Sequence, residues 1–550
     1  MSSGLIALGI DLGTTYSVAA TMIMDARNYW YPKILSNPGG KDLTPSVVFF
    51  DASDKTSIVG NDALQLWRSD PRNVVRWVKR RMGESNFSYE INENTKLSYF
   101  TPQQISSLIL TYIVRYSLQR ATDLELKSVV ITIPAFFGDN ERQATIDAAK
   151  LLNLDVILIE EPTAAILDYL HEKINENSIN YTQGNKFYAV FDLGGGTFDI
   201  SIAQLTWENQ NPIIRIIATE GHRKLGGFDF DLDLTEYVIN KFKDKYPKNI
   251  DKFNLLLSSL DELRSSGYVK DVDTWKCLVD VIDIIESAKI FLSTVNTRRV
   301  YMPPGNYFSE IMHIDLTRSE LEQTLGPWLI EIENRINQSL ITAKKNTDDE
   351  LDSWSKLERV IMVGGSTRIP YIRDLVSRVF GKEPALDGRE DHSVARGAAI
   401  YAGIIAGFNI QGKFQRKTVH SYGVFGNNGF VPIIKRGTAY PPATAETKLS
   451  VAFSLSPNLK FEVVQGVSNS HGKEDFEVIK DIAYYHPVLY TGDTISINLT
   501  IDQNGLLQIS AEDNYGEKVE EKVQGVALSD SDKEEQQKNV SSWPLRSDGE

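Results

Sequence analysis

Two short turns of matching composition constrain this chain more than anything else in it. They are Asp11-Leu12-Gly13-Thr14-Thr15 and Asp192-Leu193-Gly194-Gly195-Gly196-Thr197, about 180 residues apart. Each follows an apolar run, Leu5 to Ile10 and Phe187 to Phe191. Each leads into a second β-prone stretch, Ser17 to Ile23 and Phe198 to Ala203. Strand, Gly/Thr turn, strand is a hairpin pattern. Glycine lets such a turn bend and come close to a ligand. Its successive N–H groups, with Thr hydroxyls beside them, form an anion-binding concavity. An Asp at the mouth repels phosphate unless a hard cation such as Mg2+ lies between them. One such turn is as well read as an ordinary tight hairpin. Two, with Asp, Gly and Thr in the same order, predict a duplicated fold holding one nucleotide between its halves. The sequence has no G-x-x-x-x-G-K-[ST] and no G-x-G-x-x-G opening a helix, so the usual rival phosphate motifs are missing.

A chain of 550 residues exceeds the roughly 250–300 at which single cores stop growing, so several domains are expected. The net charge of −15 argues against nucleic acid or an anionic membrane as the main partner. The single Cys277 excludes an internal disulfide framework and fits a reducing compartment, with inert packing as its expected role. No stretch reaches the ~18 apolar residues of a membrane span, and the N-terminus lacks a basic leader, so a cytoplasmic location is expected.

Along the chain, Leu43 to Phe50 reads as a strand and Asn73 to Gly83 as a basic cluster. That cluster is either a solvated helix face or a place where one Lys reaches a phosphate. Helices are predicted over Thr101 to Leu118, Asp139 to Leu152, Leu321 to Ala343 and the Ala/Gly-rich Ser393 to Gly407. Strands are predicted over Ser128 to Ile133, Asp155 to Ile159 and Arg359 to Val363. Glu161 sits where a strand meets a helix, either capping that helix or facing the cleft. Glu286 and Lys289 are one turn apart and could form a simple surface pair. After about residue 408 the text changes. Gly412 to Lys417 is a polar linker. Short β-prone runs follow: Phe430 to Lys435, Leu459 to Val464, Thr494 to Ile501 and Leu506 to Ala511. Asp502-Gln503-Asn504-Gly505 is a hairpin turn, and the whole reads as a small β-sandwich. The polar tail from Ser529 to Glu550 is expected to be disordered after one helical turn. The expected division is 1–408, linker 409–418, β-domain 419–527 and tail 528–550.

The ordered set DLGTTYS, IPAFFGDNERQAT, EEPTAA, FDLGGGTFDIS, LGGFDFD, ESAK and VGGSTRIP resembles the 70-kDa heat-shock proteins, the DnaK-type chaperones. The likeness covers about 400 residues and continues more weakly into the β-domain. It implies an α/β, actin-like ATPase of two duplicated RNase H-like lobes, followed by a β-sandwich that binds extended apolar peptides. It also implies ATP/ADP with Mg2+ and K+, a J-domain protein and a nucleotide exchange factor as partners, and a monomer. By position, Asp11 and Asp192 would hold hydrated Mg2+. Gly13, Thr14, Thr15, Tyr16, Gly194, Gly195, Gly196 and Thr197 would line the phosphates. Lys79 would meet the γ-phosphate and the attacking water, which Glu161 and Asp199 would order. Gly364, Gly365, Ser366, Arg368 and Asp391 would surround the adenosine, with Gly226, Gly227, Glu286, Lys289 and Ser293 reaching it from the other lobe. Pro134 and Arg142 match a relay between nucleotide and peptide domains.

The chain also departs from the family pattern. Ile290 replaces an arginine that stacks on adenine. Ile157 and Glu160 replace an arginine and an asparagine that meet the J-protein. The linker is basic and polar where the family has an acidic run of leucines, so weak coupling is expected. Asn427 and Lys448 fall at apolar peptide-pocket positions, and most of the helical lid is expected to be missing. Two further readings stand beside the chaperone, the second disfavoured by the β-domain. One is an atypical co-chaperone or exchange factor. The other is a small-molecule kinase, which would need a substrate-side base and no β-domain.

Overall fold

The computed structural model describes residues 5–546 except 85, 94–95, 120–124, 176–183, 209–210, 303–306, 385–387, 411–414, 419–420, 427–428, 436–437, 441–442, 451–457, 467–475, 486–491 and 523–529. The chain is mixed α/β. Two sheets of the same plan carry the predicted hairpins. The first contains β1 (Leu5–Asp11), β2 (Tyr16–Met24), β3 (Trp30–Leu35), β4 (Glu125–Ile133) and β5 (Ile157–Glu160), in the order β5-β4-β1-β2-β3. The second contains β6 (Lys186–Leu193), β7 (Phe198–Glu208), β8 (Asn211–His222) and β9 (Leu357–Val363), in the order β9-β6-β7-β8. In each, a central strand forms an antiparallel hairpin on one side and a parallel pair on the other: β1 with β2 and β4, β6 with β7 and β9. The echo seen in the turns extends to the topology around them.

The central strands are apolar from Leu5 to Ile10 and from Phe187 to Phe191 because both faces are covered. Alternate residues of β1 serve different cores. Ile6, Leu8 and Ile10 join an outer core with Phe50, Phe100 and Ile105. Ala7 joins a core shared by both sheets. Likewise Ala189, Phe191 and Leu193 face the outer core of the second sheet, and Tyr188 and Val190 the shared one. Two helices fill the shared core, α1 (Glu161–Asn175) and α2 (Ser393–Ile405). The Ala/Gly composition of α2 has a steric reason. A Cβ on Gly9 of β1 would lie 2.1 Å from the Ala399 nitrogen, so only small residues let helix and strand approach.

Past residue 420, two four-stranded antiparallel sheets share one apolar core. One has the order Gly429–Ile434, Ser421–Gly426, Asn458–Gly466, Phe476–Tyr485. The other has the order Ala443–Ser450, Thr494–Ile501, Leu507–Asp513, Lys518–Lys522. The Thr494–Ile501 strand alternates half-buried and buried residues along its length, the pattern of a sheet covered on one face. Lys448 is exposed, and Asn427 lies outside the described residues.

Two expectations are corrected here. The polar linker is not a free tether: β10 (Gln415–Lys417) pairs in parallel with β8, Ile213 opposite Gln415 and Ile214 opposite Arg416, and Ala439–Tyr440 pairs on its far side. Ladder bonds join backbone groups, so pairing does not need the leucines that this segment lacks. The tail is also structured. Helix α3 (Asp530–Ser541) lasts three turns, and Trp543 behind it is 1% exposed in the outer core of the first sheet. Its ring meets Phe50 at 5.3 Å, nearly perpendicular. Ser57 N–H donates to Pro544 O and Arg546 N–H to Ser57 O, both at 2.9 Å. A polar composition hid this because one aromatic anchor, and no amphipathic face, fixes the segment. Among the described residues no helix is long and apolar enough to cross a membrane.

Candidate functional site

The two Gly/Thr turns touch one another. A Cβ on Gly195 would fall 1.9 Å from Thr15 Oγ1, and one on Gly196 would fall 2.4 Å from Thr14 Cγ2. The first turn is held by Ser46, whose Oγ donates to Gly13 O at 2.8 Å and whose N–H donates to Thr15 O at 2.9 Å. The second is closed by Gly194 N–H to Thr197 O at 3.1 Å. Gly227 N–H donates to Gly194 O at 3.0 Å, which seats the Gly226-Gly227 turn against it. The turn after β9 completes the ring. Gly364 has φ +86°, a conformation that favours glycine, and its N–H donates to Glu390 O at 3.0 Å.

Charged side chains converge between these turns. Asp11, Lys79, Glu161, Asp192 and Asp391 line one cleft with Gly13, Thr14, Thr15, Tyr16, Gly194, Gly195, Thr197, Gly364 and Gly365. Lys79 and Glu161 are buried and paired, Nζ donating to Oε1 at 2.5 Å. Lys79 is therefore not on a solvated face, and Glu161 faces the cleft. Asp199 lies opposite Asp192 in the hairpin register, buried at 2% exposure. Burial, then repulsion from Glu161, pushes the Asp11 carboxyl up to about 7, against partial relief from Lys79 and from Thr132, whose hydroxyl donates to it at 3.0 Å. Burial and the same neighbour push Asp192 and Asp199 well above the carboxylate range. Burial alone would depress Lys79, but Glu161, Asp11 and Asp192 outweigh it and raise the ammonium.

Four carboxylates around one ammonium form a site that calls for added positive charge. Asp199 Oδ1 is buried with no hydrogen-bond partner, an acceptor awaiting a cation or an ordered water. Among the described residues no group of three or more Asp, Glu, His or Cys is arranged to hold a metal by itself. Mg2+ takes one or two carboxylates, substrate phosphates and several waters, and Asp11 and Asp192 line the cleft with the donors of both turns. The residues present therefore fit the ion.

The remaining predicted residues flank the cleft and do not line it. Lys289 is buried, bonded to Asp231 at 2.7 Å and to Gly227 O at 2.9 Å. It is not a surface partner of Glu286. Glu286 lies near enough to Tyr16 to raise its hydroxyl further after burial has done so. Ser366 Oγ donates to Gly194 O at 2.9 Å, and Ser293 Oγ to Lys289 O within its own helix. Arg368, half exposed, pairs with Asp391 at 2.7 Å. Ile290 is 61% exposed. The cleft at the carboxylates measures about 100 Å³, small beside typical ligand pockets of ~300–1,000 Å³. Thr132, Asp231 and Glu390 escaped the sequence reading. Thr132 had a visible sign, a hydroxyl inside the otherwise apolar stretch Val129 to Ile133.

Arg142 links this half of the molecule to the C-terminal sheets. Its guanidinium donates to Phe137 O, Glu160 Oε1 and Asn504 O, each at 3.1 Å. Asn504 returns the contact, its Oδ1 accepting from Leu158 N–H at 2.9 Å. Pro134 lies beside this joint, its carbonyl accepting from Phe137 N–H. Glu160 is thus buried at this joint. A protein-family model described as "Hsp70 protein" matches residues 7–544 of the chain.

Proposed function

Because the chain belongs to the Hsp70 protein family, a family of ATPase chaperones, we propose that it hydrolyses ATP between its two sheets and transmits the nucleotide state to a peptide-binding domain. In this reading residues 1–408 form an actin-like domain of two duplicated lobes. Residues 419–527 form a β-sandwich for extended apolar peptides, and a J-domain protein and an exchange factor are the expected partners. The observation that carries it is the buried Lys79–Glu161 pair set between two facing Asp/Gly/Thr turns.

Phosphoryl transfer needs positioning and charge neutralisation more than covalent help. The Gly and Thr N–H and hydroxyl groups of both turns cradle the phosphates. Lys79, kept protonated by its acidic neighbours, meets the γ-phosphate. Glu161 holds Lys79, and the unpaired Oδ1 of Asp199 accepts a hydrogen bond from the attacking water. The water oxygen forms the new P–O bond as the bond to the ADP oxygen breaks, and the proton that the water loses passes to Asp199. Asp11 and Asp192 would hold Mg2+, which when bound neutralises phosphate oxygens, and Glu161 and Asp199 are the acids that would hold K+. Calorimetry of the full chain tests the reading: Mg-dependent ATP binding with slow release of phosphate supports it, and absence of nucleotide binding overturns it.

One observation favours a second reading, an atypical member that binds ATP without peptide-coupled cycling. The linker strand, the Asn504 turn and Trp543 all join the C-terminal segment to the nucleotide half at once. Turnover with and without a saturating apolar peptide separates the two.

A further inference from the structure

A cavity of about 720 Å³ opens beside the segment that carries Lys79, away from the carboxylate cleft. Residues 67–90 form one wall, and residues 222–275 with Trp328 form the other. None of the residues assigned to nucleotide lines it. Its size falls within the ~300–1,000 Å³ of small-molecule sites.

Its lining has two unusual properties. The first is aromatic. Trp67, Trp77, Trp275 and Trp328, half of the chain's eight tryptophans, line it. Trp77 stacks on Phe228, also in the lining, with centroids 3.7 Å apart and planes at 25°. The second is charge. Seven Lys and Arg side chains line it against four Asp and Glu, in a chain whose net charge is −15. Three of those acids are already engaged: Asp229 by Arg80 at 2.9 Å, Asp233 by Arg264 at 2.8 Å, and Glu262 by the Lys270 N–H at 3.0 Å. Arg76 packs over the Trp67 and Trp77 rings at 3.9 and 4.4 Å, and Asp283 lies 3.9 Å from it. Four donors buried in the wall, Arg72 Nε, Arg76 Nη1, Arg80 Nη1 and Trp275 Nε1, have no hydrogen-bond partner, against a single unpaired acceptor, Asp229 Oδ2. The wall is therefore short of acceptors, which favours a ligand that brings them.

We infer that this cavity is a second binding site, for a planar aromatic anion that stacks on its indole rings and is held by its arginines. Aromatic faces supply area and stacking, and the donor surplus supplies the preference for a negative group. The site borders the catalytic loop. Trp77 has φ +57°, a left-handed conformation that is an outlier for a bulky residue and persists only where surroundings enforce it. Here Phe228 and Arg76 do so, two residues before Lys79. A ligand resting on Trp77 therefore touches the segment that places Lys79, and whatever the ligand does to nucleotide affinity, nucleotide does in equal measure to the ligand.

The test titrates naphthalene-2-sulfonate, the neutral 2-naphthalenemethanol and the non-aromatic methanesulfonate into the full chain, read by tryptophan fluorescence and calorimetric stoichiometry. Expected are one saturable site for the aromatic sulfonate and at least tenfold weaker binding of the alcohol, about 1.4 kcal/mol, with no binding of methanesulfonate. Trp77→Ala should weaken the sulfonate at least tenfold. Arg72→Gln, at a half-buried position, should weaken it about threefold and serves where Trp77→Ala does not fold. Equal affinity for sulfonate and alcohol overturns the inference. So does parental affinity in the variants, or no saturable binding below about 1 mM. None of these results depends on ATP hydrolysis.

Discussion

Lys79 is the residue on which the proposed chemistry turns, and its burial makes the expectation sharp. Lys79→Ala removes the ammonium that balances Glu161 and Asp11. Single-turnover hydrolysis should fall by about 10²–10³-fold, the cost of losing one preorganised charge-stabilising group. Nucleotide should still bind, since the Gly and Thr donors of both turns are untouched. A variant that hydrolyses at the parent rate would remove Lys79 from the mechanism. Ile290 gives a second expectation. A cation stacked on a partly desolvated ring contributes up to about 2 kcal/mol, and Ile290 is 61% exposed with no charge of its own. Ile290→Arg should tighten ADP binding, by about tenfold at most; unchanged or weaker binding measured by calorimetry would count against the stacking argument. At this scale the sequence was legible where chemistry repeats. The two turns announced Asp11, Asp192 and their Thr partners because one motif occurs twice. Asp231 was not legible as the partner of Lys289, since nothing in a helical acid four residues after Gly227 tells a buried ion pair from a solvated one. The expectation for Cys277 stands on geometry: it is buried, and burial pushes its thiol up to about 12.

Elements were legible where local chemistry decides them. The helix Arg318–Asn346 begins with a full capping box: Thr317 Oγ1 accepts from Glu320 N–H at 3.2 Å, and Glu320 Oε2 accepts from Thr317 N–H at 2.8 Å. Burial works against the Glu320 charge, but Lys241, Thr317 and Tyr237 outweigh it and pull the carboxyl from 4.5 to about 2. A lowered carboxylate stabilises the fold above its unfolded value and loses that contribution as pH falls through its folded one. Glu320→Ala should therefore cost about 1 kcal/mol at neutral pH. The gap to the parent should shrink as pH falls from 4.5 toward 2. Urea unfolding at neutral pH and near pH 3 checks this; a gap that stays constant would assign the loss to packing. Elements decided by distant contacts were less legible. β10 reads as a polar tether because its register is supplied by β8, two hundred residues earlier. α3 reads as a solvated tail because its anchor, Trp543, finds its pocket between Phe50 and Phe100.

At the scale of the molecule these last two contacts change the argument about coupling. A polar linker alone suggests that the halves dock too weakly to communicate. The structure has them docked through three separate joints: the β10 ladder, the Arg142–Asn504 exchange, and the Trp543 plug with Arg546 held by Asp51 at 2.7 Å. Removing a buried Trp typically costs about 3–5 kcal/mol. Swinging a two-state equilibrium from 1:99 to 99:1 takes about 5.5 kcal/mol, so the plug alone supplies most of such a swing. A peptide whose binding favours the undocked form must overcome it, and typical coupling energies of about 1–3 kcal/mol fall short. Saturating apolar peptide should therefore stimulate the parent chain's ATP turnover less than about fivefold. Peptide off-rates by fluorescence anisotropy should differ less than tenfold between ATP and ADP, about 1.4 kcal/mol. Trp543→Ala should change both: amide exchange should rise around Asp51 to Ile58 and Tyr99 to Gln104, where the segment rests, and peptide stimulation should exceed that of the parent. Strong stimulation of the parent would mean that the plug leaves readily and that the chain runs an ordinary chaperone cycle. A Trp543→Ala chain with raised exchange but no gain in stimulation would place the missing coupling in the peptide site, not in the dock.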